Sequence, residues 1–471
     1  MINVREHEVL AGLLVLFVCP VIIYYFSIFR GKAFMLYIII SLAFTAGSIE
    51  LLTGFKGTNV AIICEVLIWS LTIYLYIVTK KRTLPYWPYL ALFLFTCFIS
   101  YLINTVTFIQ LLLFLRRYVL LPVVFILFHN LHLPEKTNKD LLKFIVLLFV
   151  AQIAVNVTRY PIAGQTEWYI GTMSVLNGSI TAIFCLTGIV FSFSAYLYKR
   201  KVAYVFLILG FFLFSLIGGK RAQILFIPPI LFLQYIKYMR SEKSNIITPK
   251  FLKMFFVVIV ASCVFIFGGV VLNPSLNPEG VIGGSFDTSY VIEYIDNYLN
   301  PGKAILGVEH YGRGEAPHAV FELLTQIYGW HNFLFGLGPG DIIMSRFTVS
   351  DAEEYPYEEM IAGVKYDIGY GSRTGVMHTA IQIGLLGTLF YIIFIYKIFS
   401  PFLKRQLSKN NKIKNYKIIS LGLFAFFFIF VLDFLTYSQV SFQCLPIILS
   451  IFVAYNYLFS RRAVPMATYS K

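Results

Sequence analysis

Apolar runs of about 17 to 25 residues recur along the whole chain and limit what it can become. Each is long enough to cross roughly 30 Å of hydrocarbon as a helix. Inside a bilayer the backbone must satisfy its own hydrogen bonds, which a helix does locally. The runs fall at 8–28, 34–53, 59–79, 86–103, 106–131, 141–157, 173–198, 202–218, 222–239, 251–272, 375–399, 417–437 and 440–459. The expected fold is therefore all-α: a polytopic membrane protein of about 12–13 transmembrane helices with one large helical extracytoplasmic loop. Composition agrees, since 58% hydrophobic and 13% charged residues with a mean hydropathy of +0.77 exceed the roughly half-apolar content of a soluble domain. The run at 106–131 is the least regular, because Arg116 and Arg117 interrupt it and Pro122 follows. Small residues are missing where a signal peptidase would cut after the first run, so that helix is expected to stay.

Lys and Arg in short connections mark the cytoplasmic side. Arg30 with Lys32, "KKR" 80–82, the 132–143 connection, "KRK" 199–201, the 237–253 connection and 404–417 share one side when the runs alternate. The N-terminus and the 274–374 segment then face outward. Three units follow: 1–273, an N-terminal helix bundle; 274–374, a loop that caps a site; and 375–471, the C-terminal helices.

The 274–374 segment holds 14 Asp and Glu against 5 Lys and Arg, which leaves 9 acids and 33 bases to the rest of the chain. The basic total of the protein thus belongs to cytoplasmic connections and does not suggest nucleic acid. All six cysteines (Cys19, Cys64, Cys97, Cys185, Cys263, Cys444) lie in apolar runs and read as packing residues. No ligand spacing in the segment suggests a metal.

Several cations break the charge rule. Arg159, Lys220, Arg221 and Arg373 fall at outward helix ends, where an unpaired charge is costly. Either each meets a lipid phosphate or a loop acid, or together they hold a shared anion, for which the planar guanidinium fork is suited. Arg116 and Arg117 join them only if 106–115 lies along the outer surface.

The segment itself is patterned for helices at 289–299 and at 317–330, the second opened by Pro317. Between them "GVEHYGRGEAPH" carries His310, Arg313, Glu315 and His318, either as acid/base and anion-binding groups or as a polar surface turn. His378, five residues after Arg373, reads either as a group bordering a site or as a buried packing histidine. The aromatic content of the segment suits sugar faces and also membrane interfaces.

"HNFLFGLGPGD" 331–341, followed by "SRTGVMHTAIQIGLLGTLFYIIF" 372–394, resembles the pattern of bacterial Wzy-type polysaccharide polymerases and the related O-antigen ligases. "LIGGKRAQIL" 216–225 resembles the small-residue and Arg junction of that superfamily, with Lys220 in place of the usual Ser. The architecture also matches over nearly the whole chain. The resemblance implies a glycosyltransferase of the bacterial cytoplasmic membrane that polymerises polyprenyl-pyrophosphate-linked oligosaccharide repeats on the outer face, for O-antigen, capsule or exopolysaccharide. It implies no cofactor or metal, and as neighbours membrane lipid, a flippase and a chain-length regulator. Arg221, Arg373, Arg159, Lys220 and Arg313 would bind pyrophosphate. His378, His318, Glu315 or an acid elsewhere in the 274–374 segment would serve as the catalytic base. A spacing to "GLLG" shorter than the ligases show favours a polymerase. Transfer of a lipid-linked glycan to another acceptor, or a flippase or transporter, are the alternatives.

Overall fold

The computed structural model describes residues 31–53, 55–78, 83–163, 171–173, 178–217, 222–242, 256, 260, 263, 266–271, 277–281, 283–299, 316–342, 365–366, 374–404, 414–436 and 444–460. Among the described residues the elements are helical and no strand occurs. In chain order they are α1 (Lys32–Thr53), α2 (Gly57–Val78), α3 (Trp87–Ile103), α4 (Phe108–Asn130), α5 (Glu135–Ala163), α6 (Gly178–Lys199), α7 (Ala203–Ile217), α8 (Ala222–Ser241), α9 (Thr288–Leu299), α10 (Ala316–Glu322), α11 (Trp330–Phe335), α12 (Gly375–Lys404), α13 (Lys414–Thr436) and α14 (Leu445–Ser460).

Eleven of the thirteen expected spans coincide with α1 to α8 and α12 to α14. The run at 8–28 and most of that at 251–272 lie outside the described residues. Among the described residues, seven helices are long and apolar enough to cross a membrane, and α3, α7 and α14 are shorter apolar helices. The chain is thus an all-α protein built like a multi-pass membrane protein.

Its helices pack by antiparallel neighbours: α6 with α7 and α13, α3 with α12, and α1 with α2. The resulting core is aromatic, with Phe149 stacked on Phe184 at 4.1 Å and Phe114 on Tyr118 at 4.2 Å. Such pairs add about 0.5–1.5 kcal/mol beyond their burial.

Described residues flanking the basic connections gather at one end of the bundle. Lys417 pairs with Glu242 at 2.8 Å, Lys237 Nζ donates to Leu403 O at 2.8 Å, and Arg200 lies over the rings of Tyr196 and Tyr238. At the same end Asn130 holds the α2–α3 connection, accepting from Thr83 N at 3.0 Å and donating to Thr83 O at 2.9 Å.

Four details differ from the sequence reading. First, α4 is one continuous helix through Arg116, so 106–115 does not lie along a surface. Arg116 makes two bonds to Glu65 of α2, at 2.6 and 3.1 Å. The pairing allows both charges in apolar helices, because each satisfies the other. Second, the segment at 317–330 is not one helix. It starts as α10, widens into a π turn at Leu323–Ile327, where Tyr328 N reaches back to Leu323 O, and restarts as α11 after Gly329 at φ 91°. Third, Cys263 is exposed, whereas Cys64, Cys97, Cys185 and Cys444 are buried; an apolar run does not reveal which of its faces is covered. Fourth, the run at 375–399 is not one uninterrupted helix, because Gly384 breaks α12.

Pro122 sits inside α4 and cannot donate to the carbonyl four residues earlier. That carbonyl, Tyr118 O, accepts from Tyr391 Oη of α12 at 3.2 Å instead. Both tyrosines are buried. Tyr391→Phe strands the carbonyl and is expected to cost about 1–3 kcal/mol. Thermal unfolding in detergent checks this against Tyr396→Phe, whose side chain is exposed and which should change little.

Candidate functional site

At the end of the bundle opposite the basic connections, a glycine turn meets a broken helix. Gln382 and Leu403 of α12 are 21 residues apart, roughly 30 Å along a helix, which places them at opposite ends.

The break is at Gly384, whose φ of 70° and ψ of −176° leave the helical region. A left-handed φ disfavours any residue with a Cβ. Here a Cβ would also overlap the backbone of Leu334 in α11. An interrupted helix loses donors for the carbonyls just before the break, and these must find others. The turn 336–341 supplies them. Leu337 N donates to Ile381 O at 2.7 Å and Gly338 N to Gln382 O at 3.1 Å, while Ser100 Oγ of α3 adds a third bond to Gln382 O at 3.1 Å. The Gln382 side chain completes the junction: its Oε1 accepts from Gly340 N at 3.0 Å and its Nε2 donates to His378 O at 2.9 Å.

The surrounding helices are cut to receive the turn. α3 ends at Ile103, and Asn104 Nδ2 donates to Gly336 O at 3.0 Å. α4 then opens with a reciprocal cap, in which Thr107 N donates to Gln110 Oε1 and Gln110 N to Thr107 Oγ1. Gly340 lies against the backbone of Gln110 so closely that a Cβ there would overlap it. The three turn glycines, Gly336, Gly338 and Gly340, all have positive φ. They are conformational requirements of the turn.

The turn delivers Asp341, whose backbone N–H bonds to Gly338 O at 3.2 Å. The Asp341 carboxylate contacts Lys365 Nζ and Tyr366 Oη. Burial raises its pKa above the usual aspartate value, and the Lys365 ammonium only partly offsets this. A carboxylate whose pKa is raised by burial and which is still paired to a cation can both accept a proton and steer a hydroxyl.

No protein-family model matches the sequence, and neither a curated protein nor a solved structure matches the chain.

The expected site residues divide as follows. His378 is 4% exposed, and its N–H bonds to Thr374 O at 2.8 Å in the first turn of α12. It stands one turn before Gln382 and next to Thr379, whose Oγ1 lies 3.0 Å from Tyr118 Oη. His318 is elsewhere in character: it is exposed on α10, with Nδ1 3.5 Å from Glu322 of the same helix. Arg159 falls in the last turns of α5, with its side chain outside the described residues. Lys220, Arg221, Arg313, Glu315 and Arg373 lie outside the described residues, as does His310.

Ser100, Asn104, Gln382 and Asp341 were not singled out from the sequence. Two signals for them existed: polar residues four apart at the end of an apolar run (Ser100, Asn104), and a second polar residue one turn after His378 (Gln382).

Proposed function

We propose that the chain is a membrane glycosyltransferase that polymerises polyprenyl-pyrophosphate-linked oligosaccharide repeats where the glycine turn meets broken α12. The observation that carries this reading is the contact between two stretches about 40 residues apart, "FGLGPGD" and "GVMHTAIQIGLLG". The Wzy-type resemblance joins them as one signature, and they are hydrogen-bonded to each other. The gathering of basic connections at the far end supports an outward-facing junction by the positive-inside rule.

In this reaction the bond between the donor's anomeric carbon and pyrophosphate breaks, and the acceptor hydroxyl bonds to that carbon. A base takes the hydroxyl proton, and lipid pyrophosphate departs. Arg221, Arg373 and Arg159, with Lys220 and Arg313, would hold the departing charge, which is the largest electrostatic demand of such a transfer. Asp341 is our choice for the base over Glu315 and the exposed His318, because it is partly buried and fixed through Gly340 and Gln382 to the helix start that bears His378. Arg221→Lys and Arg373→Lys keep the charge but lose the paired geometry. Each is expected to shorten the surface glycan, and normal length in both rejects these two ligands.

One observation favours a second reading, because transporters also use interrupted helices. In them the break lies near the midplane and is used by the cargo. Here it lies about ten residues into α12 and is filled by the chain itself. Deleting the gene and sizing the surface glycan separates the readings. Single repeat units on the surface support a polymerase, full chains left on the lipid carrier support a ligase, and repeats trapped inside support a flippase.

A further inference from the structure

The helices that precede the glycine turn expose an aromatic face that the glycan chemistry does not require. Trp330 is 64% exposed, Ile327 69% and Phe321 45%. The rings of Phe321, Trp330 and Phe333 meet edge to face with centroids 5.4 to 6.4 Å apart, so they form one surface. No Asp, Glu, Lys or Arg occurs between Glu322 and Asp341, so from Leu323 onward the surface carries no permanent charge.

The level of this surface follows from α12. Leu334, at the end of α11, lies backbone to backbone with Gly384. Gly384 precedes Lys404 by 20 residues, about 30 Å of helix and the thickness of a hydrocarbon core. Below Gly384 the side chains of Leu385, Leu389 and Ile392 stay exposed, at 45%, 45% and 40%, at the i, i+4, i+7 spacing of one helix face. On a helix long and apolar enough to span, such a stripe faces acyl chains. The aromatic surface begins where the stripe ends and continues it, through Leu334, at the depth where Trp and Tyr prefer the headgroup boundary.

We propose that the hairpin from Ala316 to Phe335 is an interfacial element whose aromatic face is immersed in the headgroup and upper acyl region of the leaflet that meets α12 at Gly384. The bilayer then holds the glycine turn from one side while α3, α4 and α12 hold it from the other. This does not rest on the glycosyltransferase reading.

The test uses the full chain in phosphatidylcholine vesicles with Trp69, Trp87 and Trp168 replaced by Phe, which leaves Trp330 as the one tryptophan. Its emission is quenched with lipids brominated at shallow or deep acyl positions and with aqueous iodide. The expected result is strongest quenching by the shallow bromines, weaker quenching by the deep ones and little by iodide. Quenching by iodide alone overturns the proposal, because the face is then in water. Protection from all quenchers also overturns it, because protein then covers the face. Should the three-Phe chain not fold, the difference between the unsubstituted chain and Trp330→Phe in the same series reports the same depth.

Discussion

Gly384→Ala is expected to unseat the glycine turn and, with it, to abolish the proposed glycan polymerisation. An alanine at φ 70° costs about 1–2 kcal/mol of backbone strain, and its Cβ overlaps the Leu334 backbone, which cannot swing aside as a side chain tip can. If α12 straightens instead, Ile381 O and Gln382 O return to helical partners and Leu337 N and Gly338 N lose theirs, at about 0.5–1.5 kcal/mol for each bond. Either route costs on the order of 1–3 kcal/mol, enough to lower the thermal unfolding temperature in detergent by a few degrees. Gly268→Ala is the comparison. That glycine is helical with open space around it, so alanine there should be neutral or slightly stabilising. Equal losses in both variants would show that the break has no special role.

Asp341→Asn should leave donor binding intact and slow transfer by about 10² to 10⁴-fold, the usual contribution of a positioned base. The pH dependence gives an independent readout. Burial raises the Asp341 pKa, so the carboxylate needed as base appears only as pH rises past the ordinary aspartate range. The acid limb of the rate profile should therefore lie above the ordinary aspartate value of 3.8 and vanish in the Asn variant. Stability carries the opposite sign. A raised folded-state pKa favours the folded chain below the unfolded value, and that share is lost as pH rises through the folded value. The unsubstituted chain should thus lose some stability over the window in which its activity rises, and Asp341→Asn should flatten both trends. Loss of donor binding together with transfer would instead indicate that the turn had collapsed.

Much of the fold was legible because the bilayer imposes a length on each helix. The described spans therefore fall close to the apolar runs read from the sequence, even for α4, where Arg116 and Arg117 argued against continuity. The pairing of Arg116 with Glu65 depends on how α2 and α4 pack, and no local pattern reveals a partner 51 residues away. The glycine turn was recognisable as a turn, but its seat was not. "GLLG" has the same letters whether its first glycine continues the helix or breaks it, and only the arrival of Leu334 decides between them. Asp341 stood unranked for a related reason: among the acids of the 274–374 segment nothing in the sequence sets it above the others, and its distinction is to follow a turn fixed by Gln382. His318 stands beside a motif-like run, and only the structure shows that its side chain faces solvent.

Backbone hydrogen exchange of Leu337, Gly338 and Gly340, measured for the full chain in lipid nanodiscs, tests the central claim most directly. These amides lie outside any helix, and in a free loop they would exchange at nearly the unstructured rate. Seated on Ile381 O, Gln382 O and Gln382 Oε1, they should exchange at least about a hundredfold more slowly and lose that protection in Gly384→Ala. Exchange at the unstructured rate in the unsubstituted chain would mean that the turn is not held at the helix break, and the proposed site would have no frame.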